Sequence, residues 1–178
     1  LRRKLWKNSG RKTIENGRND MAVRNIVIRG DQVLAKRAKE VDEINDHVRM
    51  ILDDMLDTLH EQKGIGIAAP QVGIMRRMFI VELDDHLYEL INPEFVAQEG
   101  TQFEEEACLS VPGYAGKVER PAYVKIKGLD RSGQPVEYEG RDLLAAAFCH
   151  EYDHLDGILY IDKAVDVRKM DEEPEEME

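Results

Sequence analysis

AFCHEYDHLDG, residues 147–157, places two histidines four positions apart, with a glutamate directly after the first. On a helix, side chains four apart lie on one face, a turn apart. His150 and His154 can therefore aim both imidazoles at one ion, and Glu151 can lean toward the same point from the side. Metal-assisted hydrolysis wants this arrangement: two neutral nitrogens hold a cation while a carboxylate outside the ligand set takes a proton from water. The H-E-x-x-H pattern also recurs by chance, and a solvated helix with polar pairs one turn apart would read the same way. The decision rests on a third ligand and a pocket, which the rest of the chain must supply.

The flanks of the motif favour a buried face. Leu143, Ala146, Ala147, His150 and His154 fall on one side at helical spacing. Small alanines one turn before a ligand either leave room for a substrate side chain or let backbone pack closely. The helix is predicted over 142–155, with Asp156-Gly157 closing it.

Upstream, Ile44, Val48, Ile51, Leu52, Met55 and Leu59 form one apolar stripe, which predicts a core helix over 42–63 ended by Gly64. RNIVIRG (24–30) reads as a short strand or an extended arm. RMFIVEL (77–83) and LYELINPEF (87–95) read as strands around the link DDH. AYVKIKGLD (122–130) enters the turn DRSG and returns through PVEYEG (135–140). Pro93, Pro112 and Pro121 interrupt the remaining segments. The fold expected is α+β: a single compact domain with antiparallel strands packed around a C-terminal helix that carries the histidines.

The chain has 178 residues, enough for one domain with a proper core. Its formal net charge is −11, with a basic head over residues 1–20 and an acidic end over 166–178. An acidic body is a poor partner for DNA or RNA, whose binding leans on neutralised phosphates. No apolar run approaches the roughly 18 residues of a membrane span, so no membrane partner is expected. Residues 1–20 read as a disordered leader, with Met21 opening the folded segment. Residues 21–165 read as the folded domain and 166–178 as an acidic flexible tail. Two cysteines 41 positions apart make no disulfide framework, which points to a reducing, cytoplasmic setting.

Candidates for the third ligand are His47, His60, His86, an acid, or Cys108 in EEEACLSVPGY (104–114). A thiolate would turn the site toward iron, zinc, cobalt or nickel rather than magnesium or calcium. A free cysteine is equally at home as a small buried hydrophobe. Cys149 lies about 100° round the helix from His150 and faces elsewhere. In KGIGIAAPQVGI (63–74), three glycines and Pro70 suggest a tightly shaped segment. Gly66 lets backbone approach a ligand closely, and Gln71 adds an amide donor and acceptor. The order is not that of a phosphate loop.

Three segments taken in order change the reading. Gly64-Ile65-Gly66-Ile67-Ala68-Ala69-Pro70-Gln71, Glu106-Ala107-Cys108-Leu109-Ser110 and His150-Glu151-Tyr152-Asp153-His154 resemble the three signatures of the peptide deformylase family, over roughly Met21 to Val165. Two positions depart from the commonest pattern: Ala107 stands at a usual glycine, and Cys149 at the usual glutamine before the first histidine.

The resemblance implies an α+β fold with the HExxH helix packed on antiparallel strands. It also implies hydrolysis of the N-formyl group from the initiator formyl-methionine of nascent polypeptides, releasing formate. Cys108, His150 and His154 would hold one divalent metal ion, Fe²⁺ physiologically, with Zn²⁺, Ni²⁺ or Co²⁺ in purified protein. Glu151 would take the proton and return it, while Gln71 and the Leu109 backbone N–H would steady the oxyanion. Gly66 would hold the peptide backbone, and Ile65, Leu143, Ala146 and Ala147 would line the methionine pocket. From the residues alone, Glu106 reads as orienting a ligand or a loop through a buried hydrogen bond, or as one more exposed acid, and Asp153 as supporting the groups behind the ligands or a neighbouring arginine. The partners implied are formyl-methionyl peptides and nascent chains; ribosome contact is left open, with no sequence feature in its support and an acidic tail whose charge argues mildly against RNA affinity. The rival readings are a general HExxH metalloprotease, an enzyme with Cys108 as nucleophile, and a non-catalytic, metal-stabilised peptide-binding domain.

Overall fold

A computed structural model of the chain describes residues 22–170. The expected leader over 1–20, the Met21 start and the last eight residues of the acidic end lie outside that range.

The first helix, α1 (Asp46–Glu61), starts where Asn45 caps it, its side chain accepting the Val48 N–H at 3.1 Å. The apolar stripe extends upstream to Ile44, but the cap sets the boundary. The helix ends with Lys63 at φ 54 and the Gly64 N–H donating to the Leu59 carbonyl at 3.0 Å. Its face of Val48, Ile51, Leu52, Met55 and Leu59 packs against Ile67, Met78, Ile80 and Ile91.

The strands are β1 (Gly66–Ala68), β2 (Met78–Leu83), β3 (His86–Glu99), β4 (Gln102–Cys108), β5 (Val111–Arg120), β6 (Tyr123–Leu129), β7 (Pro135–Arg141) and β8 (Val165–Lys169), with α2 (Leu143–Leu155) before the last. They form one sheet in the order β1-β2-β3-β6-β7 and a smaller one in the order β4-β5-β8. Every strand pair is antiparallel. Asp84 and Asp85, both at positive φ, turn the β2–β3 hairpin in the hand that matches strand twist. Helix α2 lays Ala145, Ala147, Phe148 and Leu155 on Phe79, Val81, Leu90, Val124 and Ile126 of the larger sheet. The domain is thus α+β with antiparallel sheets.

Of its two readings, segment 24–30 takes the second, an extended arm outside both sheets. Several other expectations need correction. Pro93 does not end β3: the strand continues to Glu99 through a register shift between Ile91 and Glu94. A residue without an N–H is accommodated at such an irregularity because no ladder bond is needed there. The smaller sheet was not foreseen. Its β4 contains three successive glutamates that mask the alternation, and Pro112 sits inside β5. Val165–Lys169, assigned from sequence almost wholly to the tail, pairs with β5. Backbone pairing holds this strand although all five of its residues are exposed.

Among the described residues no helix is long and apolar enough to cross a membrane. Beyond α2, Gly157 adopts φ +73, and a Cβ there would sit 2.6 Å from the Ala35 carbonyl carbon. Gly157→Ala should therefore cost about 2 kcal/mol or more. Urea unfolding would read this as a lower midpoint at unchanged slope.

Candidate metal centre

The β4–β5 turn and helix α2 bring Cys108, His150 and His154 together, with one potential ligand atom of each lying within 4.8 Å of the others. Cys108 Sγ and His154 Nε2 are 3.4 Å apart. Two such donors on one tetrahedral ion stand about 3.6 Å apart, from bonds of roughly 2.3 and 2.05 Å. All three residues are buried. His150 Nε2, His154 Nδ1 and both Glu151 oxygens are buried without a hydrogen-bond partner. Leaving one such atom unpaired costs about 1–3 kcal/mol, so the free His150 Nε2 and the Glu151 carboxylate, without partners among the described residues, mark a place meant for a charged or polar guest. A thiol, two imidazoles and an idle carboxylate fit a divalent cation with its water.

The electrostatics agree. Burial holds His150 near 4 and His154 well below its ordinary 6.5, so both imidazoles are neutral and available as ligands. Burial also raises the Cys108 thiol, a cost that a cation would reverse by binding the thiolate. Glu151 is pushed by burial up to about 8. A nearby cation would pull it down again, leaving a carboxylate able to gain and lose a proton near neutrality.

A chain of charges sets the orientation of His150. Its Nδ1 lies 2.7 Å from Glu106 Oε2, which leaves Nε2 as the nitrogen without a partner. Arg120 donates to both Glu106 oxygens, at 2.8 and 3.0 Å, and to Asp153 Oδ2 at 2.7 Å. Lys163 Nζ reaches the same Asp153 oxygen at 3.0 Å. Burial alone would raise the Glu106 carboxyl, but His150 and Arg120 outweigh it and bring it down to about 2. The Tyr160 ring stacks on His150 at 5.8 Å, and its hydroxyl donates to the Tyr114 carbonyl at 3.0 Å.

The glycine-rich segment closes the other side. Ala68 N–H donates to Gln71 Oε1 at 2.9 Å, so Gln71 Nε2 turns toward Cys108 Sγ (3.5 Å) and Ser110 Oγ (3.2 Å). A Cβ on Gly66 would lie 2.5 Å from Glu151 Oε1. Glycine at this position is what lets the buried carboxylate stand where it does.

The three residues expected from sequence as candidate ligands lie together. Glu106, Gly66, Gln71 and Leu109 adjoin them, and Asp153 meets the arginine that was foreseen without being identified. That residue is Arg120, which the sequence reading did not single out. The available signal was the alternation Val118-x-Arg120, which puts both on the buried face of β5. Ile65, Ala146 and Ala147 are buried, whereas Leu143, the first residue of α2, is 39% exposed and stands outside the buried face assigned to it. His60 instead pairs with Glu82 at 2.8 Å, and His86 packs on Tyr88. His47 is exposed on α1. Ala107 has no positive φ, so its methyl group causes no backbone strain. Cys149 sits in the apolar cluster under α2, and burial raises its thiol to about 12, which keeps it unreactive.

An α+β frame converging on such donors is that of a metallohydrolase. A family model described as Polypeptide deformylase matches residues 23–170. A peptide deformylase of Thermoanaerobacter pseudethanolicus is 52% identical over 156 residues, covering 88% of this chain and 97% of its own. The crystal structure of the Thermotoga maritima peptide deformylase superposes with a TM-score of 0.78 at 37% identity, covering 80% of this chain and 98% of that one. A Met-Ala-Ser-bound class I type b peptide deformylase from Acinetobacter baumannii gives a TM-score of 0.79 at 33% identity, over 81% and 99% of the two chains. The chain belongs to the polypeptide deformylase family. It is a hydrolase that performs the metal-dependent removal of the N-formyl group from formyl-methionyl peptides.

Two measurements test the site as described. Arg120→Met leaves the buried Glu106 carboxylate without its cation, with only His150 beside it, and leaves Asp153 to Lys163 alone. It should destabilise the fold by about 3–5 kcal/mol in urea unfolding. In metal-free protein, unfolding exposes His150, whose folded value near 4 rises to the ordinary 6.5. The unfolded chain then binds protons that the folded chain refuses, so stability falls as pH drops through 6.5 toward 4. Glu151, which burial raises to about 8, takes up a proton on folding and works the other way. In Glu151→Gln protein, where that opposition is removed, urea midpoints at about pH 7, 5.5 and 4.5 should fall in that order; a flat profile there would mean that the imidazoles are charged in the folded state.

Proposed function

We propose that Cys108, His150 and His154 are the metal ligands and that Glu151 is the proton-transferring group for nascent formyl-methionyl chains in the cytoplasm. The observation that carries this reading is the concentration of unpartnered buried atoms on His150, Glu151 and His154 beside the Cys108 sulfur. The catalytic unit is the described stretch, with β8 included. In cells the ion is Fe²⁺, and Zn²⁺, Ni²⁺ or Co²⁺ replace it in purified protein; one thiolate with two imidazoles suits this borderline-soft group. When bound, it supplies Lewis acidity, polarising the formyl oxygen and making nearby water acidic enough to ionise near neutral pH.

The chain's own groups do the rest. Glu151 accepts a proton from water, and the oxygen so freed adds to the formyl carbon. Gln71 Nε2, aimed by the Ala68 N–H, and the Leu109 backbone N–H donate to the oxyanion. Glu151 then returns its proton to the departing nitrogen as the C–N bond breaks, leaving formate and a free amine. Gly66 holds the peptide backbone beside β1. Ile65, Ala146 and Ala147 line the methionine pocket, with Leu143 at its exposed lip. Glu106 and Asp153 act through Arg120 by holding His150 and the helix in register.

The test is formate release from formyl-Met-Ala-Ser by anaerobically prepared protein, with metal measured on the same sample. Activity should vanish on chelation and return with Fe²⁺ or Co²⁺; activity that survives metal removal would instead favour Cys108 as a nucleophile. Glu151→Gln should keep its metal while turnover falls by about 10²–10⁴. Unchanged turnover would remove Glu151 from the chemistry.

A further inference from the structure

The N-terminal segment takes no part in the proposed reaction, yet it touches the backbone of all three motif-bearing pieces. Val27 N–H donates to the Gln71 carbonyl at 2.8 Å, Arg29 N–H to the Ser110 carbonyl at 2.8 Å, and Ala38 N–H to the Leu155 carbonyl at 2.8 Å. Its start is tied to α1: Arg24 Nη2 pairs with Asp54 Oδ2 at 2.8 Å, and Arg24 N–H donates to Thr58 Oγ1 at 2.9 Å. Ile26 packs against the α1 cluster and Val27 against the cluster that contains Cys108.

In extended chain, alternate N–H groups point the same way and repeat about every 6.6 Å. Val27 and Arg29 therefore present two donors on one side, while Ile28 turns outward, 46% exposed. The two acceptors belong to different parts of the molecule. Gln71 follows β1 of the larger sheet, and Ser110 lies in the β4–β5 turn of the smaller one. The arm thus bridges the two sheets, beside the direct contacts of Gln71 with Cys108 and Ser110, at the residues carrying, or adjoining, the two proposed oxyanion donors.

We infer that Val27 and Arg29 are positioning residues whose backbone N–H groups hold the Gln71 loop and the Leu109 turn at the separation that transition-state stabilisation requires. This rests on the assignment of Gln71 and Leu109 as oxyanion donors. A displacement of about 1 Å at such a site is enough to cost up to about a hundredfold in rate.

Proline removes the donor without adding charge. Val27→Pro and Arg29→Pro should each lower kcat at least about fivefold, the factor a net hydrogen bond supplies, with KM and metal content nearly unchanged. Ile28→Pro, whose N–H has no partner among the described residues, should keep parental kcat. Folded proline variants at parental kcat would overturn the inference, provided that Gln71→Ala, run beside them, loses turnover. If Gln71→Ala also keeps its turnover, the oxyanion assignment itself has failed. Amide exchange at Val111, faster in Arg29→Pro than in Ile28→Pro if the arm holds the turn, then decides the positioning claim alone. If the prolines fail to fold, Arg24→Asp should lower kcat and Arg24→Asp with Asp54→Arg should restore it. An unaffected Arg24→Asp, or a swap without recovery, would count against the arm.

Discussion

The buried contact between Glu106 and His150 is the constraint on which the rest of the site depends. It joins a strand of the smaller sheet to the helix on the larger one, and it does so with a charge in a place where water is excluded. A carboxylate there is tolerable only because Arg120 neutralises it through both oxygens. Arg120 in turn reaches forward to Asp153, one turn along the same helix. The helix is therefore held at two points, by the guanidinium directly at Asp153 and by Glu106 at His150. The orientation of the His150 imidazole follows from that grip rather than from its own rotamer preference.

Burial of the centre sets its chemistry as well as its shape. A protein interior rarely leaves buried nitrogen and oxygen unpaired, and among the described residues those left without partners fall mainly on His150, Glu151 and His154. Burial keeps the imidazoles neutral and the carboxylate reluctant to ionise, which are properties suited to receiving a cation and moving one proton. Close packing supplies the remaining precision. Gly66 leaves out the methyl group that would push Glu151 aside, and Tyr160 limits the tilt of His150 by stacking on it.

How much of this was legible depends on the range of the interaction. The helices declared themselves through local periodicity, and the candidate metal ligands through spacing within one helix and the chemistry of a single cysteine. The smaller sheet stayed hidden because Glu104-Glu105-Glu106 looks like a solvated run, although Glu106 points inward toward Arg120 fourteen residues away. The role of the arm was hidden for a similar reason: its bonds are backbone to backbone, so no side chain announces them. Ala107 and Cys149, which stood out as departures from the family pattern, are both accommodated where they sit, one at the register shift of β4 without a positive φ and the other in an apolar cluster.

By itself, then, the sequence determined which residues were chemically able to form a metal site and that a helix would present two of them together. Hydrogen-bonding range and the 3.6-residue repeat are local properties, and they need no knowledge of the rest of the chain. Only the tertiary structure decided which arginine balances Glu106, that Gly66 must make way for Glu151, and that one extended arm links the two sheets. Those are contacts between segments far apart in sequence, and they are set by how two sheets and a helix share one dry interior.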